Sequence, residues 1–260
     1  MIEGKIVDIT GVSSGIGART AELARAQGAD VIGIDINEPA VPMDFIKADL
    51  SSEAEIASLA RRLPERIDAL CNIAGLSGKV GAARTLAVNF YGLRLLSETL
   101  APQIREGGTV VNTASIAGFG WRANLERAKA LVAIPGMPDT AATASNVGVA
   151  DAECYPISKE ALLLWTYKAA HDPVFKTRGI RVNAISPGPV ETPILREFRD
   201  VLGDERVDSD ITRVGRAGIP GDVAPVILFL CSDAARWING ANIAVDGGLE
   251  GSILSEVMNF

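Results

Sequence analysis

Thr10-Gly11-Val12-Ser13-Ser14-Gly15-Ile16-Gly17 lies between an apolar run, residues 6–10, and a helical pattern, residues 16–27. Glycines here permit a tight turn and let the backbone approach a pyrophosphate, whose charge is met by amides at the helix N-terminus. Strand-to-helix turns also carry glycine for purely structural reasons. The placement, directly after a strand and before a helix, favours the nucleotide site.

The same succession continues along the chain. Short β-rich runs at 30–35, 44–48, 67–73, 109–114, 181–185 and 242–245 alternate with helical patterns at 53–63, 83–105, 156–176 and 222–232. Such alternation predicts an α/β fold: one Rossmann-like, doubly wound parallel sheet with helices on both faces. No internal repeat, low-complexity tract or linker divides the 260 residues, so a single domain over 1–260 is expected.

Hydrophobic residues make up 48% of the chain, yet no unbroken apolar run of about 18 residues occurs. Met1-Ile2-Glu3-Gly4-Lys5 lacks a basic segment followed by an apolar one, so a cytoplasmic protein without a membrane partner is expected. A net charge of -7 would repel a phosphate backbone, which argues against nucleic acid. Cys71, Cys154 and Cys231 are isolated and form no Cys-x-x-Cys pair, consistent with reduced thiols. The one histidine, His171, precedes Asp172-Pro173; a Ser-His-Asp hydrolase or a His-ligated metal would rest on it alone, and no metal is expected.

Asp35 closes the second strand, where a carboxylate can hydrogen-bond a ribose 2′-hydroxyl and repel a 2′-phosphate. Neither 12–14 nor Ile36-Asn37 supplies a cation, so NAD is favoured over NADP; the competing role for Asp35 is a turn residue before Asn37. Tyr155 and Lys159 stand four apart, on one face of a helix, with Ser115 upstream at the end of an apolar run. An ammonium beside a phenol favours the phenolate, so a group with a pKa near ~10 becomes a usable acid and base. Tyr-x-x-x-Lys alone also occurs on solvated helix faces.

Two segments break the alternation. Residues 118–153, rich in Ala, Gly, Pro and Thr, contain a possible helix at 121–134; residues 187–221 open with Pro-Gly-Pro and continue as an amphipathic stretch, 194–202, and a polar tract. Both should emerge at the carboxyl ends of strands, and they are expected to form the walls and lid of a substrate pocket. Asp8 is anomalous, because it falls inside a strand that should be covered on both faces; either it has a partner or the strand is destabilised.

Taken together, these motifs resemble the short-chain dehydrogenase/reductase family over essentially the whole chain. Thr10-Gly11-x-x-x-Gly15-x-Gly17, with Ser13, Ser14 and Ile16, matches its cofactor loop, and Asp35-Ile36 the residues at the adenosine ribose. Asp49-Leu50 matches the adenine pair, Asn72-Ile73-Ala74-Gly75 the Asn-x-Ala-Gly element, and Asn89 a helix asparagine. Ser115, Tyr155 and Lys159 match the catalytic residues, Pro187-Gly188 with Val190 and Thr192 the nicotinamide-side loop, and Asp246-Gly247-Gly248 a C-terminal signature. Ile73 departs from the pattern where many relatives carry a second Asn. The long insertion between Ser115 and Tyr155 is similar to that of the branch holding 3α-hydroxysteroid dehydrogenase/carbonyl reductases and coniferyl alcohol dehydrogenases. Leu70-Cys71-Asn72-Ile73-Ala74-Gly75 and Arg236-Trp237-Ile238-Asn239-Gly240 look more like the latter.

The resemblance implies NAD(H)-dependent interconversion of an alcohol and a carbonyl. Tyr155 is then the acid/base, Ser115 holds the reacting oxygen, Lys159 lowers the Tyr155 pKa and binds the nicotinamide ribose, and Asn89 holds a water on the proton path. A homodimer or homotetramer is implied, with the insertion covering or replacing a helix contact between subunits. The substrate is expected to be a largely apolar, ring-bearing alcohol or ketone, an aromatic allylic alcohol or a hydroxysteroid. Ile194, Leu195, Phe198, Val201 and Leu202 either close over it or pack on the core. For Trp165 core packing is expected; for Trp121 packing and a pocket role compete; Trp237 is expected to pack. A non-catalytic NAD-sensing regulator would lack a catalytic residue, and all four are present. A sugar-nucleotide epimerase or dehydratase would carry a larger C-terminal substrate domain, whereas 12 residues follow Gly248.

Overall fold

Seven parallel strands pair in the order β3-β2-β1-β4-β5-β6-β7 in the computed structural model, which describes residues 1–259 and, of Leu202, the backbone only. The chain runs β1 (Ile6–Thr10), α1 (Gly15–Ala26), β2 (Asp30–Asp35), β3 (Asp44–Lys47), α2 (Glu53–Arg62) and β4 (Ile67–Asn72). Next come α3 (Ala82–Leu86), a π-helical turn (Ala87–Gly92), α4 (Leu93–Leu100) and β5 (Ile104–Thr113). A 3₁₀ segment (Ile116–Arg122), α5 (Leu125–Ala133), α6 (Thr140–Val147) and a 3₁₀ turn (Asp151–Glu153) lead into α7 (Cys154–Ala169). The chain continues through α8 (Pro173–Lys176), β6 (Arg181–Pro187), α9 (Pro193–Leu202), α10 (Asp204–Val214), α11 (Pro220–Cys231), β7 (Asn242–Val245) and α12 (Leu249–Val257).

Apolar side chains cover both sheet faces, which is why the strands read as nearly continuous hydrophobic runs. Val7, Ile9, Val111, Val223 and Ile227 pack on the face under α1 and α11; Ile34, Leu70, Phe90, Leu162 and Trp165 pack on the other. The order of strands reverses direction at β1/β4, the place where such a sheet opens a crevice at its carboxyl ends.

Three expected boundaries move. The helix expected over 83–105 is α3, the π-helical turn and α4, and the chain is already in β5 at Ile104; Pro102 bars α4 from continuing. Within the π-helical turn, a Cβ on Gly92 would lie 2.0 Å from the Leu50 carbonyl oxygen, so the helix presses against the chain after β3. The helix expected over 156–176 splits at Asp172, whose side chain caps α8 with Pro173 in its first turn. The polar tract after 202 is helical, α10, with Asp204 and Glu205 in its first turn.

Residues 118–153 fold back as α5 and α6 and pack on α7 and α3. Ala128, Leu131 and Val132 are buried there, the Tyr91 hydroxyl donates to the Leu131 carbonyl (3.1 Å), and Arg127 ties Gly148 and Glu153 together (2.7 and 2.9 Å). This segment therefore covers an outer surface of the Tyr155 helix.

Asp8 has no hydrogen-bond partner among the described residues. It lies between Ile32 and Leu70, fully buried, with both carboxyl oxygens unbonded, and burial pushes its pKa up to about 8.

Candidate active site

A cavity of about 400 Å³ opens at the carboxyl ends of β1, β2, β4, β5 and β6. One wall is the turn from β1 into α1. Ser14 caps α1 with no side-chain hydrogen bond, and no acidic residue stands in the first turn, so the first amides are free for an anion. Close packing requires the glycines: a Cβ on Gly11 would meet the Ala74 nitrogen at 2.8 Å, and one on Gly17 the Gly11 carbonyl oxygen at 2.0 Å. Gly15 has φ +55°, in the left-handed region that favours glycine. Ser13, Ser14 and Ile16 line the same wall.

At the far end lie Asp35, Ile36, Asp49 and Leu50. The Asp35 carboxylate accepts from the Ser13 and Asn37 amides, both at 3.0 Å. The turn role and the cavity role therefore coexist in one side chain. Asp49 accepts from Ser51 and from Arg84 (2.8 Å each); partial burial pushes its carboxyl up, and these donors outweigh it and hold the pKa below the ordinary value. Arg84, which sequence reasoning missed, lines this end as its cation and is engaged by Asp49 and Ser51.

Ser115, Tyr155 and Lys159 meet at the other end, beside Ala74, Gly75, Pro187, Gly188, Val190 and Thr192. Ser115 follows β5, and Tyr155 and Lys159 lie on α7. Lys159 Nζ donates to the Thr113 carbonyl at 2.8 Å and sits 5.8 Å from the Tyr155 ring centroid. Gly75 keeps this space open, since a Cβ there would stand 3.5 Å from Lys159 Nζ and 3.4 Å from Asn89 Oδ1. Burial pushes the Tyr155 phenol up to about 12, with the Ser115 hydroxyl pulling the other way, and pushes Lys159 down to about 8. Where a lowered Tyr155 pKa is expected from the sequence, desolvation dominates and the Ser115 hydroxyl offsets only part of it.

Two expected site residues do not line the cavity. Asn72 is fully buried and donates to Ser97 and Asn112 (2.8 Å each), tying β4 to β5 and α4. Asn89 sits in the π-helical turn with its amide committed to Leu76: Oδ1 accepts from the amide (2.7 Å) and Nδ2 donates to the carbonyl (2.9 Å). Nδ2 also donates to the Ser158 hydroxyl on α7 (3.2 Å), so Asn89 ties the loop after β4 to the Tyr155 helix.

The expected pocket walls are corrected as well. None of the cavity lining comes from 118–153; the wall on this side comes from the stretch between Pro187 and Phe198, including Ile194, Leu195 and Phe198. Val201 is exposed instead, and the Leu202 side chain lies outside the described residues. Phe198 packs on Tyr155, ring centroids 4.5 Å apart. Trp121 stacks on Tyr167 and under Arg122 outside the cavity, Trp165 is core, and Trp237, expected to pack, is 97% exposed. His171 is exposed in the turn after α7, away from the cavity.

Known proteins share this arrangement. Residues 5–126 match the short chain dehydrogenase family and residues 138–250 the family described as enoyl-(acyl carrier protein) reductase. The chain is 44% identical over 249 residues to a coniferyl-alcohol dehydrogenase of a Pseudomonas species, covering 95% of this chain and 97% of that one. It is 29% identical over 259 residues to a 3-alpha-hydroxysteroid dehydrogenase/carbonyl reductase of Comamonas testosteroni, covering 94% and 96%. The crystal structure of a 3-alpha-hydroxysteroid dehydrogenase from Pseudomonas sp. B-0831, complexed with NADH, superposes with a TM-score of 0.84 at 30% identity, covering 96% of this chain and 99% of that one. With the strand order, the glycine turn and the Ser115, Tyr155 and Lys159 cluster in place, the chain belongs to the short-chain dehydrogenase family.

Proposed function

We propose that the chain is an NAD(H)-dependent oxidoreductase that interconverts an alcohol and a carbonyl on a largely apolar, ring-bearing substrate. The observation that carries this reading is the single cavity with a glycine cradle and Asp35 at one end and Ser115, Tyr155 and Lys159 at the other. Gly11, Gly15 and Gly17 fit a pyrophosphate at the α1 N-terminus. Asp35 faces the adenosine ribose, and its charge disfavours a 2′-phosphate. When bound, the cofactor would supply the hydride chemistry.

In oxidation the Tyr155 phenolate takes the proton from the substrate hydroxyl; in reduction the phenol returns it. Ser115 donates to the same oxygen and fixes its position. Lys159 holds positive charge beside the phenol through its bond to Thr113. Phe198, Ile194 and Leu195 cover this end and exclude water.

Relatives named for coniferyl alcohol and for 3-alpha-hydroxysteroids support an aromatic allylic alcohol or a hydroxysteroid as substrate. An NADH-fluorescence screen across sterols, phenylpropanoids, monoterpenoids and sugars tests this. NADH formation with apolar ring alcohols is expected; turnover confined to sugars would overturn the reading.

A further inference from the structure

Glu197 is the one charged residue that the segment from Pro187 to Phe198 presents to the cavity, among the described residues. Its neighbours there are apolar: Ile194, Leu195 and Phe198 on α9, and Leu76 from the loop after β4. Glu197 is exposed at the cavity rim, and one oxygen of its carboxylate is anchored. Oε2 accepts a hydrogen bond from the hydroxyl of Ser77, a residue only 2% exposed, and Lys79 on the same loop pairs with Asp200 on α9 at 2.8 Å. The next residue, Phe198, packs on Tyr155. A carboxylate offers about four lone-pair directions, and Oε1 has no partner among the described residues.

A ligand seated under the lid displaces water from this carboxylate. Where the ligand offers only carbon, an acceptor is left desolvated; where it offers a hydroxyl, the bond is charge-assisted. Sites built in this way reject analogues that lack the hydroxyl more strongly than apolar pockets reject those that have it. An ammonium on the ligand fits less well, because Lys79 already places positive charge in the field of Glu197.

We infer that Glu197 selects substrates that carry a second hydroxyl, on the ring end remote from the carbon that exchanges hydride. This rests on the proposed alcohol–carbonyl activity and narrows it to hydroxylated ring compounds. The test compares 3-phenylprop-2-en-1-ol with its 3- and 4-hydroxyphenyl counterparts. It measures kcat/KM with NAD, and Kd by calorimetry in the protein–NADH complex, for wild type, Glu197→Leu, Glu197→Gln and Ser77→Ala. Wild type should prefer a hydroxyphenyl alcohol, and Glu197→Leu should reduce that preference ratio roughly 10- to 100-fold, the scale of a hydrogen bond to a charged group; Glu197→Gln should retain part of it. A ratio unchanged in Glu197→Leu, with all alcohols affected alike as in Ser77→Ala, would make Glu197 a lid fastening only and overturn the inference. Turnover without a Glu197-dependent ratio refutes this inference alone. Failure to oxidise any of the three counts against the activity itself, and the Kd ratios still decide the role of Glu197.

Discussion

Lys159 Nζ lies 5.8 Å from the centre of the Tyr155 ring, while its hydrogen bond goes to the Thr113 carbonyl. An opposite charge close to an ionisable group shifts its pKa toward the charged form by roughly one to three units, here toward the phenolate. Burial opposes this and holds the phenol up at about 12. In the proposed mechanism oxidation uses the phenolate, so its kcat/KM should climb with pH, roughly tenfold per unit below the apparent pKa. Reduction needs the phenol and should persist to higher pH. Lys159→Met should move the oxidation limb to higher pH and cost roughly a hundredfold on its rising part. A flat pH profile for both directions would contradict this coupling.

Cofactor choice should turn on Asp35. Asp35→Ala, or Asp35→Ser with Ile36→Arg, should weaken NAD use and admit NADP by relieving the repulsion of a 2′-phosphate. Arg84, the cation already at that end, is paired with Asp49 and adds no net attraction for the phosphate. Steady-state kinetics with both cofactors decide the matter. A wild-type preference for NADP would refute the role given to Asp35.

Phe198→Ala should lower kcat/KM for apolar ring alcohols roughly tenfold or more, the scale of a lost aromatic contact. Any residual turnover of a polar polyol should be insensitive to it. Equal losses on both would show that Phe198 acts through Tyr155 rather than through the substrate.

Asp8 makes stability depend on pH. Its folded pKa, about 8, lies above its unfolded value of 3.8, so its contribution is fully present below about pH 4 and is lost as pH rises toward 8. At pH 7 the deficit relative to an uncharged isostere is on the order of 4 kcal/mol. Asp8→Asn should therefore raise Tm by roughly 10 °C at pH 7 and leave it nearly unchanged at pH 4. A Tm difference independent of pH would mean that Asp8 is ionised in the fold.

Local pattern carried much of this architecture. Asp172-Pro173 marks a helix end and a new start from two adjacent residues, and the glycine turn at residues 11–17 fixes its own conformation. What local pattern did not carry was set by distant partners. The π-helical turn lies where Gly92 meets Leu50, and the direction of the insertion depends on Tyr91 and Arg94 reaching Leu131, Val132 and Ile134. The same holds for the site: Arg84 reaches it through Asp49, 35 residues back, and Glu197 through Ser77, 120 residues back. Asn72 was misplaced because a buried strand amide and a cavity amide look alike in sequence.

Tyr155→Phe tests the central claim most directly. With a ring-bearing alcohol as substrate, cofactor affinity is read by NADH fluorescence and turnover by NADH formation. The variant should bind NADH with a Kd near that of wild type and lose at least ~10²-fold in kcat, the scale of general acid/base catalysis. Wild-type turnover in Tyr155→Phe would remove the phenol from the mechanism.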